Sequence, residues 1–122
     1  MSGAEETVAR TEYANTRMEL QELYSKVGAL EADRSEHGMV LAQLASVPRD
    51  RRCWHQVGDV LCEQDVQTVQ AALQANLDRI IATIDKLVEL MRTKEARVGQ
   101  LVAKYGFTEK DVAAAVAAQQ QQ

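Results

Sequence analysis

Cys53, His55 and Cys62 are the residues of this chain best suited to chemistry, since two thiols and an imidazole within ten positions are the usual makings of a metal or thiol site. The segment around them decides whether they can act together. From Arg52 to Gln64 the residues alternate with a period of two about Gly58-Asp59, which predicts a β-hairpin. Glycine at the first central position suits a type II′ turn, where that residue takes a positive φ. The resulting register sets Val57 opposite Val60, Gln56 opposite Leu61, His55 opposite Cys62 and Trp54 opposite Glu63. Cys53, His55, Val57, Val60 and Cys62 then share one face, and Trp54 and Leu61 share the other. Structural zinc takes four protein ligands, and this face offers three; the nearest further imidazole, His37, lies beyond Pro48. No metal and no cofactor is therefore expected. Catalysis has no better footing, because no glycine-rich loop or converging carboxylate pair is present, and no catalytic residue is assigned.

The elements flanking the hairpin carry the stronger signal. Tyr13, Thr16, Leu20, Leu23, Val27, Leu30, Arg34, His37, Leu41 and Leu44 follow alternating three- and four-residue steps, the seam of a coiled coil. Leu73, Leu77, Ile80, Ile84, Leu87, Met91, Lys94, Val98, Leu101 and Tyr105 repeat the pattern. A fold-back at Gly58-Asp59 sets Leu44 level with Leu73, Leu30 with Leu87, Leu20 with Val98 and Tyr13 with Tyr105. The expected fold is thus mainly α, a long antiparallel two-helix coiled coil with one β-hairpin between the helices. The first helix is placed at about 7–47, ended by Pro48; the hairpin at 52–64; and the second helix at 65–105, opened by the cap Asp65 and closed by Gly106. Residues 1 to about 7 read as a frayed start. Thr108 to Asp111 resembles a capping box ahead of a short helix over Val112 to Ala118, and the four terminal glutamines are expected to be disordered. The whole chain, 1–122, reads as one domain with 106–122 as a tail.

Two helices of about forty residues, each roughly 60 Å long, make a rod and leave no globular core. A net charge of −4, with one short basic cluster at Arg49, Arg51 and Arg52, argues against nucleic acid as a partner. No apolar run approaches a membrane span and Met1 to Arg10 lacks the features of a signal peptide, so a cytoplasmic location with free thiols at Cys53 and Cys62 is expected.

A lone two-stranded hairpin is marginal in water and offers two unpaired edges. Here it also exposes Trp54 and Leu61, or Val57 and Val60, whichever way it leans. Other hairpins added edge to edge close into a barrel that removes the edges and buries both apolar sets, so these four residues are assigned to a subunit interface. The alternative is a structural coiled-coil scaffold or tether. It needs a parallel dimer, against which the Gly58-Asp59 turn and the matched arms argue.

The stretch Arg51-Arg52-Cys53-Trp54-His55-Gln56-Val57-Gly58-Asp59-Val60-Leu61-Cys62-Glu63-Gln64-Asp65-Val66 resembles the hairpin and second-helix start of the β-type prefoldin subunits. The family pattern is basic-basic-Cys-aromatic, then Val-Gly-Gly-Val-Leu-Val-Glu, then a capping residue and Val. Asp59 stands here for the second turn glycine and Cys62 for a valine, and the tail beyond Phe107 has no match. The resemblance, over about residues 10 to 106, implies an intersubunit β-barrel in a heterohexamer of two α-type and four β-type subunits, so that three further β-type chains join this one. It implies an ATP-independent co-chaperone, a holdase, that binds unfolded clients such as actin and tubulin and delivers them to the cytosolic group II chaperonin. It also implies client contact at splayed helix ends. In this chain those are Val8, Tyr13, Met18 and Leu20 on the first helix, with Val98, Leu101, Tyr105 and Phe107 at the end of the second.

Overall fold

A computed structural model describes residues 3–120. Its elements run α1 (Gly3–Leu44), β1 (Arg52–Val57), β2 (Val60–Asp65), α2 (Val66–Tyr105) and α3 (Glu109–Gln120). The hairpin falls between the two long helices, as the change of period requires. By packing, the chain divides into two units: residues 28–85, and residues up to Val27 together with those from Lys86 onward.

The first of these holds the hairpin. Strands β1 and β2 pair antiparallel in the expected register, from Val57 opposite Val60 to Arg52 opposite Asp65. Gly58 has φ +61° and no non-glycine residue among those described has a positive φ, so Asp59 is excluded from a type I′ turn and the type II′ assignment holds. The start of α2 is tied back to the loop before β1. The Val66 N–H donates to the Arg51 carbonyl at 2.9 Å, the Gln67 N–H to the Arg49 carbonyl at 3.0 Å, and the Thr68 N–H to the Asp65 carboxylate at 2.8 Å. Three of the four N–H groups that a helix start leaves unpaired thus have partners. The Asp65 carboxyl is held below its ordinary value chiefly by the Thr68 bonds. Gln70 Nε2 donates to the Leu44 carbonyl at 3.1 Å, so α2 caps the end of α1. Val66, Val69 and Ile84 are the buried side chains here.

In the second unit, 3–27 of α1 lies antiparallel to 86–105 of α2. Ala9, Tyr13, Ala14, Thr16 and Leu20 are buried from α1, and Leu101 from α2. Polar pairs flank this seam. Arg97 donates to both Glu12 oxygens at 2.6 and 2.9 Å, Lys94 pairs with Glu19, and the Tyr24 hydroxyl donates to Glu95 at 2.8 Å. The bond from Arg97 holds the Glu12 carboxyl below its usual value, and the bond to Glu95 pushes the Tyr24 phenol up.

Along the two seams every expected position is buried or half-buried except Arg34, which is exposed. His37 is half-buried, with Nδ1 2.8 Å from the Asp33 carbonyl one turn back. Several boundaries differ from expectation: β2 reaches Asp65 and α2 begins at Val66, each one residue later, and the ends of the other two helices move further. Helix α1 starts at Gly3, because Glu5 and Glu6 sit in the first turn where the helix dipole favours them and Thr7 Oγ1 bonds the Gly3 carbonyl at 2.8 Å. It ends at Leu44 instead of 47, since Pro48 forces Val47 out of helical geometry and the chain tightens into a turn, with the Val47 N–H donating to Leu44. The last helix covers Glu109–Gln120, longer than Val112 to Ala118, because its cap acts at Thr108. Gln119 and Gln120 are helical, not disordered; Gln121 and Gln122 lie outside the described residues, as do Met1 and Ser2.

Candidate interaction surfaces

The hairpin alternates in burial as its register demands. Cys53, His55, Cys62 and Gln64 are half-buried on one face, and His55 Nδ1 lies 3.2 Å from Gln64 Oε1. Both thiols are free, and among the described residues no group of three or more His, Cys, Asp or Glu side chains could hold a metal ion. The opposite face and the turn are open: Trp54 is 65% exposed, Val57 55%, Val60 61% and Leu61 60%. Trp54 and Leu61 on one face, and Val57 and Val60 at the turn end of the other, are apolar side chains of a two-stranded sheet with unpaired edges that added strands can cover. The four residues singled out from sequence lie together on this one element.

The helix ends present the opposite situation. Of the eight residues expected there, Val8 is exposed, Met18, Val98 and Tyr105 are half-buried, and Tyr13, Leu20, Leu101 and Phe107 are buried. The resemblance implied splayed ends with exposed apolar side chains. In this chain Phe107 and the first turn of α3 cover part of them. Gly106 takes φ +72° just past the end of α2, its N–H donating to the Val102 carbonyl at 2.8 Å, and the chain turns back. Phe107 then enters a cluster with Ala9, Tyr13 and Leu101, against which Val98, Tyr105 and Val112 pack. Its ring lies 5.3 Å from that of Tyr13 and stacks on that of Tyr105 at 5.1 Å, with the Arg10 guanidinium 5.6 Å from its centroid.

Helix α3 is fastened by its cap. The Asp111 carboxylate accepts from the Thr108 N–H at 2.8 Å and from Arg10 Nε at 2.9 Å, so one side chain both closes the first turn of α3 and ties it to α1. Its carboxyl is held below the ordinary value, first by the Thr108 bond and further by Arg10. Near the other end, Gln119 Nε2 donates to Asn15 Oδ1 at 3.2 Å. Arg10, Asn15 and Val112 belong to this site and carried no signal in the heptad pattern, whereas Ala9 continues the first seam four residues before Tyr13. The capping box at Thr108 to Asp111 was the one visible clue that a third helix follows, and it does not say where that helix docks.

Residues 9–105 match the family described as Prefoldin subunit. Among individual relatives, the chain is 32% identical over 93 residues to prefoldin subunit 2 of Arabidopsis thaliana, covering 76% of this chain and 63% of that protein. It is 31% identical over 104 residues to prefoldin subunit 2 of Homo sapiens, covering 85% and 66%, and 32% identical over 84 residues to that of Saccharomyces cerevisiae, covering 69% and 76%. The match thus spans just under two thirds of the plant and human relatives. In three dimensions the chain is similar to the crystal structure of the prefoldin beta subunit from Thermococcus strain KS-1. The TM-score is 0.74 at 14% identity, with 82% of this chain and 88% of that one aligned, a likeness of fold.

Proposed function

The chain belongs to the prefoldin subunit family, and from that premise we propose that it is a β-type subunit of a heterohexameric, ATP-independent co-chaperone. The observation that carries the reading is the single hairpin with Trp54, Val57, Val60 and Leu61 open to solvent. An α-type subunit carries two hairpins, and one hairpin suits the β-type place in a barrel shared with two α-type and three further β-type chains. Each strand added to an edge satisfies backbone groups and buries one apolar set. The complex works in the cytoplasm, holds unfolded chains such as actin and tubulin, and passes them to the group II chaperonin. No helix among the described residues is long and apolar enough to cross a membrane.

Client contact falls to Val8, Tyr13, Met18, Leu20, Val98, Leu101, Tyr105 and Phe107. Several weak apolar grips on one client, each from a different subunit, multiply through effective concentration, so no single site has to bind tightly. The test mixes the purified chain with an α-type subunit and the other β-type partners. A stable hexamer by native mass measurement, which suppresses aggregation of a denatured client without nucleotide, is the expected result. Absence of any assembly at micromolar concentration sinks the reading.

A further inference from the structure

Three of the eight residues assigned to client contact, Tyr13, Leu101 and Phe107, are buried together in one cluster at the helix end, against which Val112 of α3 packs. Resting on the holdase reading, we propose that α3 is a lid, an internal stand-in for client that occupies the apolar helix end and must leave before an unfolded chain can bind there. Gly106 is its hinge, since a positive φ at that position lets the chain reverse straight after α2 without strain.

The attachment of α3 is built to be weak. The helix has no fully buried residue; Ala115 and Val116 are half-buried, and Val112 packs on the aromatic cluster. The Arg10–Asp111 pair is partly solvent-exposed and the Gln119–Asn15 bond is exposed, so neither contributes much. Twelve residues rich in alanine are also at the lower limit for a helix that stands alone. Once detached, the segment has little reason to stay ordered. The rings it leaves behind, Tyr13 and Tyr105 beside a newly mobile Phe107, supply adaptable apolar surface with the Arg10 guanidinium at its edge.

The geometry also describes the preferred guest. A client segment that replaces α3 must offer small apolar side chains at helical spacing, as Val112 and Val116 do, with an acidic group near its N-terminal end to meet Arg10. Closure lowers the apparent affinity in proportion to the fraction of open lids. A weakly held element is open on the order of 1–10% of the time, so removing the lid tightens client binding about 10- to 100-fold.

The experiment uses the assembled complex with this chain in three forms: unaltered, Val112→Asp with Val116→Asp, and ended after Thr108. The probe is reduced, carboxymethylated lactalbumin, a permanently unfolded chain, alongside an apolar-sensitive dye. Hydrogen exchange over 109–120 reads lid release in the first two forms. Faster exchange in the double variant, more dye bound, and tighter probe binding in both altered forms are expected. Unchanged exchange in the double variant, or unchanged or weaker probe binding once the lid is released or deleted, overturns the lid. If dye binding rises while no form holds the probe, the holdase reading falls instead, and the two failures are told apart.

Discussion

Phe107→Ala should release α3 while leaving the long helices intact. The ring is 5% exposed, stacks on Tyr105, meets Tyr13 at 5.3 Å and lies under Arg10. Truncating a buried phenylalanine to alanine costs about 3–5 kcal/mol, and the lower figure applies at a helix end, where neighbouring chains can settle into the space. The cost falls on α3 because Phe107 is one residue from its cap and Val112 packs on the same cluster. About 3 kcal/mol is roughly a hundredfold in an opening equilibrium, at 1.4 kcal/mol for each factor of ten. With the lid already open about 1–10% of the time, amides of residues 109–120 should therefore lose most of their protection and exchange about 10- to 50-fold faster, whereas those of 66–85, in the other packing unit, should be unchanged. Native-state hydrogen exchange with mass detection resolves the two segments. Protection over 109–120 within twofold of the unaltered chain would refute the argument, since α3 would then be held by something other than this aromatic cluster.

Three further outcomes follow from the same geometry. Replacing Trp54 and Leu61 by aspartate should abolish entry into the hexamer without lowering helical circular dichroism, because both side chains are more than half exposed in the single chain; native mass spectrometry reads the assembly. Gly58→Ala should cost about 1–2 kcal/mol of hairpin stability through its positive φ alone, since a Cβ there meets open space, whereas Asp59→Gly should move the thermal midpoint of the complex little. Asp111 titrates below its ordinary 3.8 in the folded chain. A depressed carboxyl contributes stability that is present above the unfolded value and is lost as pH falls through the folded one. Docking of α3, followed by the methyl resonances of Val112, should therefore loosen on acidification below about pH 4, and Asp111→Asn should remove that dependence.

Much of this fold was legible because its strongest signals are periodic. A two-residue repeat bounded by Gly58-Asp59 names a hairpin and its register together, since slipping by one residue would exchange the Cys53 and Trp54 faces. The seams were readable for the same reason, down to the weak centre where Arg34 turns out to solvent and His37 bonds its own helix. What escaped is what periodicity does not encode. The docking of α3 rests chiefly on a phenylalanine outside either heptad and on Val112 packed against its cluster, with a minor tie from Asp111 to Arg10 across a hundred residues of sequence. Helix ends were misplaced where local capping decided them, at Glu5 and Glu6, before Pro48, and at Thr108.

The two apolar surfaces therefore differ in kind. At the hairpin, no side chain of the same element covers Trp54 and Leu61, because the Cys53 and His55 face is the half-buried one, and on the proposed reading their cover comes from other subunits. At the helix ends the chain supplies its own cover, and a temporary one, since Ala and Gln in α3 add little apolar area beyond Val112 and Val116. A permanent cap would place leucine or isoleucine where α3 has Ala115 and Val116, adding roughly 0.8 kcal/mol for each methylene buried. Ala115→Leu with Val116→Ile puts this to the test: slower exchange over 109–120 should accompany weaker retention of an unfolded probe, and slower exchange with undiminished retention would separate lid strength from client access.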